Sequence, residues 1–103
     1  MLRRRAPVLA VLLGLAAPLC GAQDTSLGRN LAATCANCHG TNGNARDVVK
    51  PLAGVPAANI VAALAEFKAG TRPATIMHQI AKGYTDDQVR LIAAYFADQP
   101  AKQ

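Results

Sequence analysis

Tryptophan is absent, and two phenylalanines and two tyrosines are the only aromatic residues among 103 positions. A chain this short buries a small share of its surface, so it cannot build a large self-sufficient core from these side chains. Cysteine is scarce as well: Cys20, Cys35 and Cys38 are the only three. A bridge between Cys35 and Cys38 would close too small a loop to constrain the unfolded chain much. A bound group is therefore expected to complete the interior. There is no alternating run of β-branched residues and no internal repeat, and this excludes a sheet or a solenoid in favour of one all-α domain. No Gly-x-Gly-x-x-Gly stretch is present, so the chain does not bind a flavin by that route.

Positive charge is concentrated at the start. Arg3, Arg4 and Arg5 precede an apolar run from Ala6 to Leu19 that ends at Cys20-Gly21-Ala22, the pattern of an export signal cleaved after Ala22. The run is shorter than the roughly 20 apolar residues of a membrane span. Lipidation of Cys20 fits less well because Leu19 is not small, and a twin-arginine address fits less well because Pro7 and Val8 continue it poorly. Without residues 1–22, 81 residues remain, Lys and Arg fall from 11 to 8 against six Asp and Glu, and the formal charge falls from +5 to +2. Such a balance gives no dense basic patch, which argues against nucleic-acid binding. The expected organisation is a signal at 1–22, a single domain at 23–103 with no membrane span, and a periplasmic location.

Four helices are predicted. Leu27, Leu31 and Thr34 recur at helical spacing from Ser26, with Thr25 or Ser26 as cap and Gly40 as stop, so that Cys35 and Cys38 fall on the last turn. Residues 40–55 carry three glycines, two asparagines and a proline and read as an irregular loop. Pro56, then Ile60, Leu64 and Phe67, mark a second helix ending at Gly70. A short third helix spans Ala74 to Lys82 and ends at Gly83. The last is the best marked: Thr85 and Gln88 form a capping box, Asp86 and Asp87 suit the positive end of the helix dipole, and Val89, Ile92, Ala93 and Phe96 make one face before Pro100.

The stretch "CANCHG", Cys35 to Gly40, carries the chemistry. Two cysteines three apart on a helical turn lie on one side, where their sulfurs can form thioethers with the two vinyl groups of one haem, and the next residue, His39, then stands under the iron. A thioredoxin-like dithiol would need a βαβ setting. A structural zinc would need a fourth ligand, and beyond Cys35, Cys38 and His39 only His78 is left. Export suits covalent haem, so one haem c is the expected cofactor.

With Met1 removed, Met77 is the only methionine, about forty residues past the anchor on a short helix between two turns. It is the candidate for the second axial bond. The competing readings are that Met77 fills the core beside Ile76 and Ile80, or that His78 is the ligand instead. His39 with Met77 would favour the ferrous state and leave no open position, which is the arrangement of an electron carrier rather than an enzyme. A ligand-binding or peroxidase-like haem protein would need that position open.

Gly28, "CANCHG", Pro51, "LAG", Met77 and "AAYF" resemble a class I cytochrome c over the whole chain beyond residue 22. More narrowly, "TCANCHGTNGN", "EFKAG" and "TIMHQIAKGYTD" are similar to the haem domain of the cytochrome subunit of flavocytochrome c, the sulfide dehydrogenase. The resemblance implies the small cytochrome c fold, about four helices around one haem, with Cys35 and Cys38 as anchors and His39 and Met77 as axial ligands. It also implies that the Pro51 carbonyl accepts the Nδ1 proton of His39, and that Gly28 lets Tyr95 or Phe96 approach the first helix. Some members of that family carry two haem domains, whereas the single Cys-x-x-Cys-His here implies a monohaem version. The partner implied is an FAD-containing flavoprotein that oxidises sulfide and passes electrons on singly; the alternative is a free shuttle between a dehydrogenase and a terminal oxidase. Lys50, Lys68, Arg72 and Lys82 are equally consistent with solvated residues and with a docking ring.

Overall fold

The structure, a computed structural model, describes residue 14 and residues 20–46 and 48–102. Most of the expected export signal lies outside the described residues; of its last three positions only the backbone is described, and it is helical. Every regular element among the described residues is helical: α1 Cys20–Ala32, α2 Ala36–His39, α3 Ala57–Ala69, α4 Met77–Ala81 and α5 Asp86–Ala97, with 3-10 turns at Ala33–Cys35 and Thr41–Gly43. The protein is all-α, as the sequence predicts. Among the described residues no helix is long and apolar enough to cross a membrane.

α1 starts six residues before the expected Ser26, so Thr25 and Ser26 stand inside it rather than at its cap. Ala22 and Gln23 are good helix formers, and the weaker formers of that stretch, Gly21 above all, do not stop the helix. α3 runs from Pro56, its N-cap, to Gly70, whose N–H bonds the carbonyls of Glu66 and Phe67. α4 is shorter than predicted. Its N-cap, Ile76, has φ −136° and no side-chain cap, so the helix begins only at Met77. α5 has both halves of its capping box: Gln88 N–H donates to Thr85 Oγ1 at 3.2 Å, and Thr85 N–H donates to Gln88 Oε1 at 2.9 Å.

The core joins α1, α3 and α5 through Ala32, Ile60, Ile92, Ala93 and Phe96. Among the described residues Phe96 is the largest fully buried side chain, and its burial contributes roughly 2–3 kcal/mol. α1 packs mainly on α5, and α4 on α3. The α1/α5 crossing is closest at Gly28, where a Cβ would lie 2.8 Å from the carbonyl oxygen of Leu91. The expectation that Gly28 makes room for Tyr95 or Phe96 is therefore corrected: it makes room for the backbone of α5. Contact between backbones is set by how two helices cross, and side-chain size does not show it.

Candidate haem site

After Ala32 the chain tightens into the 3-10 turn that ends at Cys35 and reopens as the single turn of α2, so Cys35, Cys38 and His39 share one short helical stretch. Both thiols are free. Cys35 is half-buried and packs on the core cluster, while Cys38 is exposed. Burial pushes the Cys35 thiol above its ordinary pKa; hydrogen bonds from the Thr34 side chain and from its own backbone pull the other way, and the neighbouring Cys38 adds to the rise. Cys35 is thus a neutral thiol at neutral pH.

His39 Nδ1 lies 2.6 Å from the main-chain oxygen of Lys50. A carbonyl only accepts, so Nδ1 carries the proton and Nε2 keeps its lone pair, the tautomer an iron ligand requires. The acceptor is Lys50 and not Pro51 as the resemblance implies. Lys50 stands immediately before Pro51, a position biased towards extended backbone, and it is the Lys50 oxygen that reaches the ring. The same segment is tied to the turn after His39: Leu52 and Ala53 donate to the carbonyl of Gly43 at 2.8 and 3.1 Å. Gly43 has φ +77°, and a Cβ there would come within 2.8 Å of both the Ala53 nitrogen and Phe96 Cδ1.

Met77 does not share the turn of His39. It is half-buried at the first position of α4, the helix that packs on α3. His78, its neighbour, lines a cleft of about 340 Å³ with Phe67, Lys68, Arg72 and Lys82, a set that contains neither cysteine and not His39. The cations expected to be solvated or to form a ring are partly engaged: Lys68 Nζ donates to the Tyr84 carbonyl at 2.6 Å, and Arg72 pairs with Glu66 at 2.6 Å while lying 5.4 Å from the Phe67 ring centroid.

The donor set and its surroundings fit a haem. Two free thiols and an imidazole with its Nε2 lone pair lie on one stretch of helix, and Leu31, Leu52, Val55, Val61 and Leu64 pack with Cys35 on the core without being fully covered. Ile76 and Ile80, flanking Met77, are 58% and 38% exposed. Apolar side chains left this open are what a flat apolar macrocycle would cover. Zinc fits poorly: among the described residues no three His, Cys, Asp or Glu side chains form a metal-holding group.

An all-helical domain with this donor set defines a class, the proteins that hold haem through two thioethers and move electrons with it. Residues 26–99 match the profile of the family described as cytochrome c. The chain belongs to the cytochrome c family, with covalent haem c as its cofactor and electron transfer rather than catalysis as its role. It is similar to the cytochrome subunit of sulfide dehydrogenase from Chlorobaculum tepidum, 43% identical over 77 residues that cover 75% of this chain and 70% of that protein. Cytochrome c-554(548) of Halomonas halodenitrificans is 32% identical over 82 residues, 76% of this chain and 99% of the relative. Cytochrome c-552 of Acidithiobacillus ferridurans is 40% identical over 63 residues, 61% of this chain but only 27% of the relative.

Lys50 as the acceptor for His39, Leu91 as the partner of Gly28, and the contacts of Asn42 escaped the sequence reading. Asn42-Gly43 carried the one usable signal, since that pair favours left-handed backbone.

Proposed function

We propose that this chain is a periplasmic monohaem cytochrome, its functional domain residues 23–103, that accepts single electrons from a sulfide-oxidising flavoprotein as that enzyme's cytochrome subunit. Cys35 and Cys38 would hold the haem through thioethers, and His39 and Met77 would be the ligands of its iron. The similarity to the Chlorobaculum subunit, 43% over most of both chains, carries the choice of partner. The hydrogen bond from His39 Nδ1 to Lys50 supports His39 as ligand, because it leaves Nε2 free. Met77 is favoured over His78 because His78 belongs to the cationic cleft at the end of α3.

Bound haem supplies a one-electron couple. The chain's own residues keep Nδ1 protonated against the Lys50 carbonyl; the apolar side chains of the 52–55 segment would help to exclude water, and ligation by both His39 and Met77 would leave no site for a substrate. The test is reconstitution. The native protein should co-purify with a flavin-containing partner, and adding sulfide to the pair should reduce the haem. Elution alone, with no sulfide-dependent reduction when the flavoprotein is supplied, would sink the reading and leave a free electron shuttle.

A further inference from the structure

His39 is steadied by more than the oxygen it touches. The Lys50 carbonyl belongs to a segment tied back through Leu52 and Ala53 to Gly43, and through Gly54, whose N–H donates to the Phe96 carbonyl at 2.9 Å. Gly43 follows Asn42, which among the described residues is the one non-glycine with positive φ, +55°. That conformation is disfavoured for a residue with a Cβ, though less for asparagine than for most, and it persists where surrounding contacts enforce it. The enforcing contact comes from α5: the Tyr95 hydroxyl donates to Asn42 Oδ1 at 2.5 Å. The Tyr95 ring is itself fixed edge-on against Phe96, 5.4 Å between centroids. Two residues on, Asn44 donates to the Pro100 carbonyl at 3.3 Å and accepts from the Lys102 N–H at 2.8 Å. The last helix and the segment after it thus grip residues 42–44, that turn grips residues 52–53, and the Lys50 oxygen faces His39.

We propose that Tyr95 and Asn42 are positioning residues for His39, a clamp that holds the turn after the haem anchor so that the Nδ1–H bond to Lys50 stays short. The proposal rests on the reading of His39 as an iron ligand. A firm Nδ1–H···O bond makes Nε2 a stronger donor, which favours the more highly charged ferric iron. Releasing the clamp lengthens that bond, exposes the Nδ1 proton and raises the reduction potential.

The test uses the haem-loaded protein with Tyr95→Phe, which removes the hydroxyl and keeps the ring packing. In the ferrous, diamagnetic form, the His39 Nδ1 proton should exchange with solvent about tenfold faster by NMR, and at a fixed solution potential the ferrous-to-ferric ratio should rise about threefold. Asn42→Gly removes the acceptor while permitting the left-handed backbone, and should reproduce both changes; the double variant should add nothing further. A lower melting temperature with unchanged exchange and potential would assign the pair a structural role only and overturn the proposal. An Nδ1 proton in the parent that shows no shift from the haem would overturn the ligand reading and the clamp together, whereas a haem-shifted proton with unaltered exchange in Tyr95→Phe overturns the clamp alone.

Discussion

Gly28 of α1 lies against the carbonyl of Leu91 on α5, so close that a Cβ at residue 28 would be 2.8 Å from that oxygen. The obstacle is main chain, and it cannot rotate aside as a side chain would. Two opposed effects follow for Gly28→Ala. Alanine favours helix by about 1 kcal/mol, but forcing a methyl against main chain that cannot move aside costs at the upper end of the usual overpacking range, about 2–3 kcal/mol. The overlap should win, leaving the holoprotein about 1–2 kcal/mol less stable in guanidinium unfolding. A variant as stable as the parent would show that the helices separate freely.

Met77→Ala should keep the covalent haem, since both thioether anchors remain, yet lose the sulfur-to-iron charge-transfer band of the ferric form. The reduction potential should fall by on the order of 100 mV, and carbon monoxide should bind the ferrous protein readily. Retention of the band would transfer the axial role away from Met77.

The two thiols should react unequally before haem is attached. Burial lifts the pKa of Cys35, so at a given pH less of it is thiolate, whereas Cys38 is exposed. In the haem-free chain iodoacetamide should label Cys38 first near pH 8, with Cys35 catching up only as pH rises, because the thiolate is the nucleophile. Equal labelling at both sites, read by peptide mass, would mean that Cys35 is not buried in the haem-free state.

Thr85→Ala removes the oxygen that accepts the Gln88 N–H at the start of α5. The loss should be about 1 kcal/mol, or about 4–8 °C in the melting temperature of a domain this size. The haem spectrum should not change, since neither partner touches the candidate site. A spectral change would mean that the helix cap and the haem site are coupled.

What the sequence made legible was local. The capping box of α5 is written within four residues, and its buried face, Val89, Ile92, Ala93 and Phe96, follows from periodicity alone. The grouping of Cys35, Cys38 and His39 was legible for the same reason, since one helical stretch contains them all. What was missed depends on distant segments. The start of α1 lies upstream of Ser26 because a capping residue says where a helix can begin and does not forbid one that is already running. The partner of Gly28 comes from a helix more than sixty residues away, at a crossing no composition reveals. The choice between Lys50 and Pro51 turns on the direction of one carbonyl, which the backbone sets and the side chains do not announce.

That last acceptor is chemically anonymous. Every amino acid brings the same peptide oxygen, so position 50 could change identity many times while the bond to His39 persisted. An alanine scan would pass over it in silence. Only an alteration of the chain's path, such as replacing Pro51 or inserting a residue between Gly43 and Leu52, would expose how much the histidine owes to it.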